Sequence, residues 1–142
     1  MLLKICTVGN PVLRQVPRSL STKEIRSQAI QDLIGYMRET MRDAPGVGLA
    51  APQVGESLQL AVMEDRAEYH KGLTETELKE RQRVPVDFHV MINPQIELLA
   101  PPEISFFEGC LSVPGFMAVV SRSRSVRVTC LDEHARPRVI EA

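Results

Sequence analysis

The chain has 142 residues, 44% hydrophobic and 25% charged, which is the size of one domain and the make-up of a globular one with a buried core. Its net charge of -1 gives no electrostatic footprint for sequence-specific nucleic acid or for an anionic membrane surface. Three widely spaced cysteines, Cys6, Cys110 and Cys130, are not a disulfide framework and predict free thiols in a reducing, cytoplasmic setting.

In chain order, the first 20 residues read as extended segments and turns. Gly9-Asn10-Pro11 is a turn signal, and Pro17 keeps Val16 out of the helical region. The apolar run here is too short for a secretory leader, and Pro11 and Pro17 oppose a transit helix. Nowhere does an apolar run approach the ~18 residues of a membrane span. Ser21 with Glu24 matches a capping box. The spacing predicts one helix from there to about Asp43, with Ile25, Ala29, Leu33, Ile34, Met37 and Met41 on one face. Pro45 and Gly46 end it.

Gly46 to Gly55 (GVGLAAPQVG) reads as a loop, and Leu58 to Glu64 as a strand. Residues 65–87 are dense in both charge signs and read as a solvated insertion, with Thr74 and Glu77 able to cap a short exposed helix. FHVMINP from Phe88 is a strand expected to stop at Asn93-Pro94. QIELLA and EISFFEG are two more around Pro101-Pro102, and FMAVVSR, SVRVTCLD and RVIEA follow, with DEHARP a polar turn. One N-terminal amphipathic helix with several short, mostly antiparallel strands is an α+β layout, a single domain over residues 1–142. Such a sheet normally needs helical cover on its inner face. One helix is thin cover for it.

Two stretches could carry chemistry. In the glycine loop, no Gly-x-x-x-x-Gly-Lys-Ser/Thr pattern supports a phosphate cradle. Its glycines would let another backbone approach, as when an extended peptide docks along an edge. Gln53 is its only side chain fit for polar chemistry: a neutral amide can donate to a developing oxyanion. The plainer reading is a turn whose Gln bonds local backbone. In the second stretch, FFEGCLSVPGF, Cys110 has no recognisable base among His70, His89 and His134 and no Cys-x-x-Cys companion. By itself it reads as a small buried hydrophobe, and Glu108 as an ordinary exposed strand-end carboxylate.

Taken together, GVGLAAPQVG and EGCLSVPGF resemble the first and second motifs of the peptide deformylases. GNPVLR resembles that family's N-terminal segment, and INP its strand before the second motif. The resemblance implies a hydrolase that removes the formyl group from the N-terminal formyl-methionine of new polypeptides. It implies that Cys110 ligates one divalent ion, Fe²⁺ in the family and replaceable by Zn²⁺, Ni²⁺ or Co²⁺, whose bound water attacks the formyl carbon. Gln53 and the Leu111 backbone N–H would hold the oxyanion. Gly48 would lie against the substrate, and Val47 and Gly109 would mark the edge where the peptide adds as a strand. The implied partners are formyl-methionyl nascent peptides and, with them, the ribosome exit region; the implied location is the cytoplasm. The family's third motif, His-Glu-x-x-His on a C-terminal helix, supplies two ligands and a general base. It has no match: VTCLDEHARPRVIEA resembles the segment leading up to it, and His134 lacks a second His at i+4. The chain is therefore expected to be a deformylase without that C-terminal metal-binding helix, incomplete at its C-terminus and inactive as it stands, with Ile92, Phe106 and Val128 left exposed for lack of that helix's cover. A non-catalytic peptide-binding module and an inactive fragment are the alternatives.

Overall fold

In the computed structural model, which describes residues 1–142, the Ser21–Glu24 box forms as expected, each residue accepting from the other's backbone N–H. It caps a single turn, α1 (Thr22–Ile25). The predicted single helix is two because Ser27 caps anew, its hydroxyl accepting from the Ile30 N–H, and starts α2 (Gln28–Asp43). The restart sets the phase of the apolar face. Ile30, Ile34, Met37 and Met41 are buried with Ile25, Leu33 packs at the margin, and Ala29 is exposed.

Strands β1 (Gly48–Ala50), β2 (Leu60–Asp65), β3 (Val86–Leu98), β6 (Val126–Leu131) and β7 (Pro137–Glu141) form one antiparallel sheet in that order. β4 (Ile104–Gly109) and β5 (Met117–Arg122) form a separate hairpin. Period-two alternation turns Leu60, Val62 and Glu64 inward along β2, with Leu60 opposite Ile92 and Val62 opposite Val90. α2 packs on this inner face. Full burial of side chains such as Met37, Leu49 and Ile92 contributes about 1.5–3 kcal/mol each.

Ile92, expected to be exposed, is thus fully buried, while Phe106 and Val128 are half-buried. α2 covers the β1–β3 end of the sheet, so the uncovered apolar side chains lie elsewhere, at Ile96, Phe107, Val119 and Val139. The strand expected to stop at Asn93-Pro94 runs through to Leu98. Asn93 adopts φ 52°, and the register shifts between Ile92 and Gln95. In that bulge the missing Pro94 N–H interrupts no ladder bond. The Asn93 side chain holds the bulge against the N-terminal segment, accepting from the Leu20 N–H at 2.9 Å and donating to the Leu20 carbonyl at 2.8 Å.

The charged segment after β2 forms the short helix α3 (Glu75–Glu80), capped by Thr74 and Glu77 as expected. It is not a free solvated loop. Arg83 donates to both Asp65 carboxylate oxygens, and Arg81 stands 4.7 Å from the centre of the Phe106 ring while donating to the Phe107 carbonyl. The segment's end is thereby tied to β2 and to the β4–β5 hairpin.

One half-buried ion pair sets the start of β1. Arg42, in the last turn of α2, donates through Nε and Nη2 to the two Glu64 oxygens at 2.8 and 2.7 Å. The bond from Arg42 holds the Glu64 carboxyl below its ordinary value, outweighing the opposing effect of burial. The Glu64 N–H donates to the Val47 carbonyl at 3.0 Å.

Candidate functional site

The N-terminal stretch brings the two motifs together. The Cys6 N–H donates to the Gln53 carbonyl at 2.7 Å, and two residues on the Val8 N–H donates to the Ser112 carbonyl at 2.8 Å. One extended segment thus binds both motifs, and the side chains follow. Gln53 Oε1 accepts from the Ala50 N–H at 2.9 Å, which turns Nε2 the other way. Nε2 donates to the hydroxyl of buried Ser112 at 3.1 Å and lies 3.9 Å from Cys110 Sγ. Gln53 therefore does bond local backbone, and its far end also crosses to the second motif.

Cys110 is exposed, not the buried hydrophobe that its composition alone suggests. It follows β4 in a turn whose next residue, Leu111, has a backbone N–H that donates to nothing in the chain. Glu108 is not a free strand-end carboxylate: Arg122 pairs with both of its oxygens, at 2.9 and 2.7 Å, and holds the carboxyl below its ordinary value.

Val47, Gly48, Gln53, Gly109, Cys110 and Leu111 all line one open cleft of about 960 Å³. β1 is the end strand of its sheet, so one side of it is unpaired. The Val47 carbonyl is bound by Glu64. By antiparallel alternation the Gly48 N–H and carbonyl then face the free edge. A Cβ on Gly48 would make only ordinary contacts within the chain, whereas one on Gly46 would stand 2.7 Å from Leu111 Cδ1. At Gly46 the missing side chain makes room for Leu111, not for another backbone.

The divalent ion implied by the resemblance does not fit the residues present. Cys110 is one donor, and no group of three or more His, Cys, Asp and Glu side chains could hold a metal ion. His70 lies against Asp65, and His89 and His134 do not line the cleft. Sequence reasoning missed Ser112, whose only signal was its position two residues after Cys110, and the cleft-lining Ile5, Tyr69 and Arg83.

All three cysteines are unpaired. Burial pushes the Cys130 thiol above its ordinary value, so Cys110 is expected to label first on the native chain and Cys130 last. The unfolded, unreduced chain should take up three labels. Intact mass after timed alkylation checks this, and fewer than three labels would show a disulfide.

The family model for polypeptide deformylases matches residues 2–142. The chain is 45% identical over 134 residues to peptide deformylase 3 of Streptomyces avermitilis, covering 94% of this chain and 58% of that protein. It is 43% identical over 138 residues to the chloroplastic peptide deformylase 1A of Solanum lycopersicum, covering 97% of this chain and 50% of that one. It thus spans about half the length of these two curated relatives. The Met-Ala-Ser-bound crystal structure of the class I type b peptide deformylase from Acinetobacter baumannii superposes with a TM-score of 0.85 at 25% identity, over 100% of this chain and 84% of that one. On the matched motifs and the shared fold, the chain belongs to the polypeptide deformylase family.

Proposed function

We propose that the protein takes part in removing the formyl group from formyl-methionyl peptides, by hydrolysis of the formamide C–N bond. The observation that carries this reading is that Gln53 Nε2 stands 3.9 Å from the exposed Cys110 thiol, in a cleft lined also by Leu111, whose N–H is unpaired, and by Gly48 of the free strand edge. An extended peptide adding along β1 would meet the Gly48 backbone, with Val47 and Gly109 flanking it. Its formyl oxygen would be held by the Gln53 amide and the Leu111 N–H, two neutral donors suited to a developing negative charge.

Cys110 would contribute one thiolate toward a divalent ion, Fe²⁺ by the family resemblance or Zn²⁺, Ni²⁺ or Co²⁺ in its stead. These 142 residues offer no further ligands, so what is assigned to them is peptide binding, orientation and oxyanion support. Nascent formyl-methionyl chains near the ribosome exit and a cytoplasmic location belong to the same proposal. The location is supported by the three unpaired cysteines; no helix is long and apolar enough to cross a membrane.

Titrating the isotopically labelled chain with formyl-Met-Ala-Ser is expected to shift the backbone amides of Gly48 and Leu111 and the Gln53 side-chain amide. Shifts confined to other surfaces would overturn the reading.

A further inference from the structure

Arg83 is the only charged side chain lining the cleft, and no Asp or Glu lines it. Asp65, at the end of β2, anchors Arg83 through Nε at 2.8 Å and Nη2 at 3.0 Å. The His70 ring stands 3.0 Å from the same carboxylate. The third nitrogen of the fork, Nη1, donates to nothing in the chain, and the side chain is 29% exposed. Neighbouring cations are engaged elsewhere: Arg42 with Glu64, Arg66 with Glu68, Arg122 with Glu108, and Arg81 over Phe106. Tyr69 lines the same wall, its hydroxyl buried and without a partner.

The sheet register sets where this wall meets a bound peptide. Gly48 lies opposite Met63, and the Val47 carbonyl accepts from Glu64, so Gly46 falls opposite Asp65. Gln53 is tied to the Ala50 N–H at the other end of β1, with Cys110 Sγ 3.9 Å from its amide. A peptide with its formyl end there and its chain along the free edge advances about 3.3 Å per residue toward Gly46. On that spacing its second or third residue after methionine would fall nearest Gly46, opposite the Asp65 that anchors Arg83.

Building on the deformylase reading above, we propose that Arg83 makes the cleft select formyl-methionyl peptides with a carboxylate side chain at the second or third residue after methionine. The free Nη1 supplies a charge-assisted donor, Asp65 holds the fork in position, and no competing carboxylate lines the cleft.

The test is calorimetric binding of three amidated peptides to the 142-residue chain at low salt: formyl-Met-Ala-Asp-Asp, formyl-Met-Ala-Ala-Ala and formyl-Met-Ala-Lys-Lys. The Asp peptide is expected to bind about fivefold more tightly than the Lys peptide, as suits a partly exposed pair, and the difference should shrink at high salt. Arg83→Met should abolish the preference, and Arg83→Lys, which has no fork to hold Asp65 and a peptide carboxylate together, should retain only part of it. Because Arg83→Met also strands the Asp65 carboxylate, the Asp65→Asn/Arg83→Met double variant is measured beside it, with the same loss expected. Equal binding of the Asp and Lys peptides by the native chain, or a preference that survives in both Met variants, overturns the proposal. If none of the three peptides binds, the deformylase reading falls and this proposal with it.

Discussion

Supplied with Fe²⁺ or Co²⁺ under anaerobic conditions, the 142-residue chain is expected to leave formyl-Met-Ala-Ser intact. The reason is a count of groups. Cys110 is a single ligand, and no cluster of three His, Cys, Asp or Glu side chains exists to complete a site. Metal affinity rises with ligand number and deprotonation, so one exposed thiolate should hold the ion weakly. No carboxylate or imidazole lines the cleft to act as a base, and such groups typically contribute ~10²–10⁴-fold. The comparison is a version carrying a His-Glu-x-x-His helix after Ala142, which should turn over the peptide at least about a hundredfold faster by the same reasoning. Comparable turnover by both versions would show that the metal finds other ligands, with His89 and His134 the first to replace.

In that active version, Gln53→Leu is expected to lower kcat/KM by about 10²–10³-fold, the range for losing one oxyanion donor. It should also destabilise the fold by about 1–3 kcal/mol, since the Ala50 N–H loses its acceptor and buried Ser112 its donor. Gln53→Glu separates the two effects. A carboxylate still accepts from the Ala50 N–H but cannot donate, and its charge repels an oxyanion. Activity should therefore fall at least as far as in the Leu variant, while the melting temperature falls less. A Gln53→Glu variant with near-normal kcat/KM would remove Gln53 from the chemistry and leave it a purely structural tie.

The chain's local features are legible in its residues. Capping pairs at Ser21–Glu24 and Thr74–Glu77 act within one helical turn, and both form. The runs read as β2, β4, β5, β6 and β7 are local in the same sense, and each is a strand. Where the fold departs from the pattern, the causes are finer or more distant. Helical spacing places Ala29 on the buried face, but the Ser27 cap shifts the helix phase, and that cap depends on one hydroxyl's hydrogen bond. Asn93-Pro94 does not stop its strand because Leu20, 73 residues away, satisfies the Asn93 side chain and holds the bulge.

Family, α+β class and the residues able to meet at a site are all readable from the amino-acid order, because motif composition, caps and alternation are written within a few neighbouring positions. Folding in three dimensions adds what that order does not carry. The meeting of Gln53 and Cys110 is expected from the motifs, but the tie of Gln53 to buried Ser112 at 3.1 Å is not. Gly46 clears room for Leu111, and the charged segment after β2 lends Arg83 to the cleft. The two motifs are brought together by backbone bonds from Cys6 to Gln53 and from Val8 to Ser112. Every residue but proline can donate such a bond, so they leave no mark in side-chain identity.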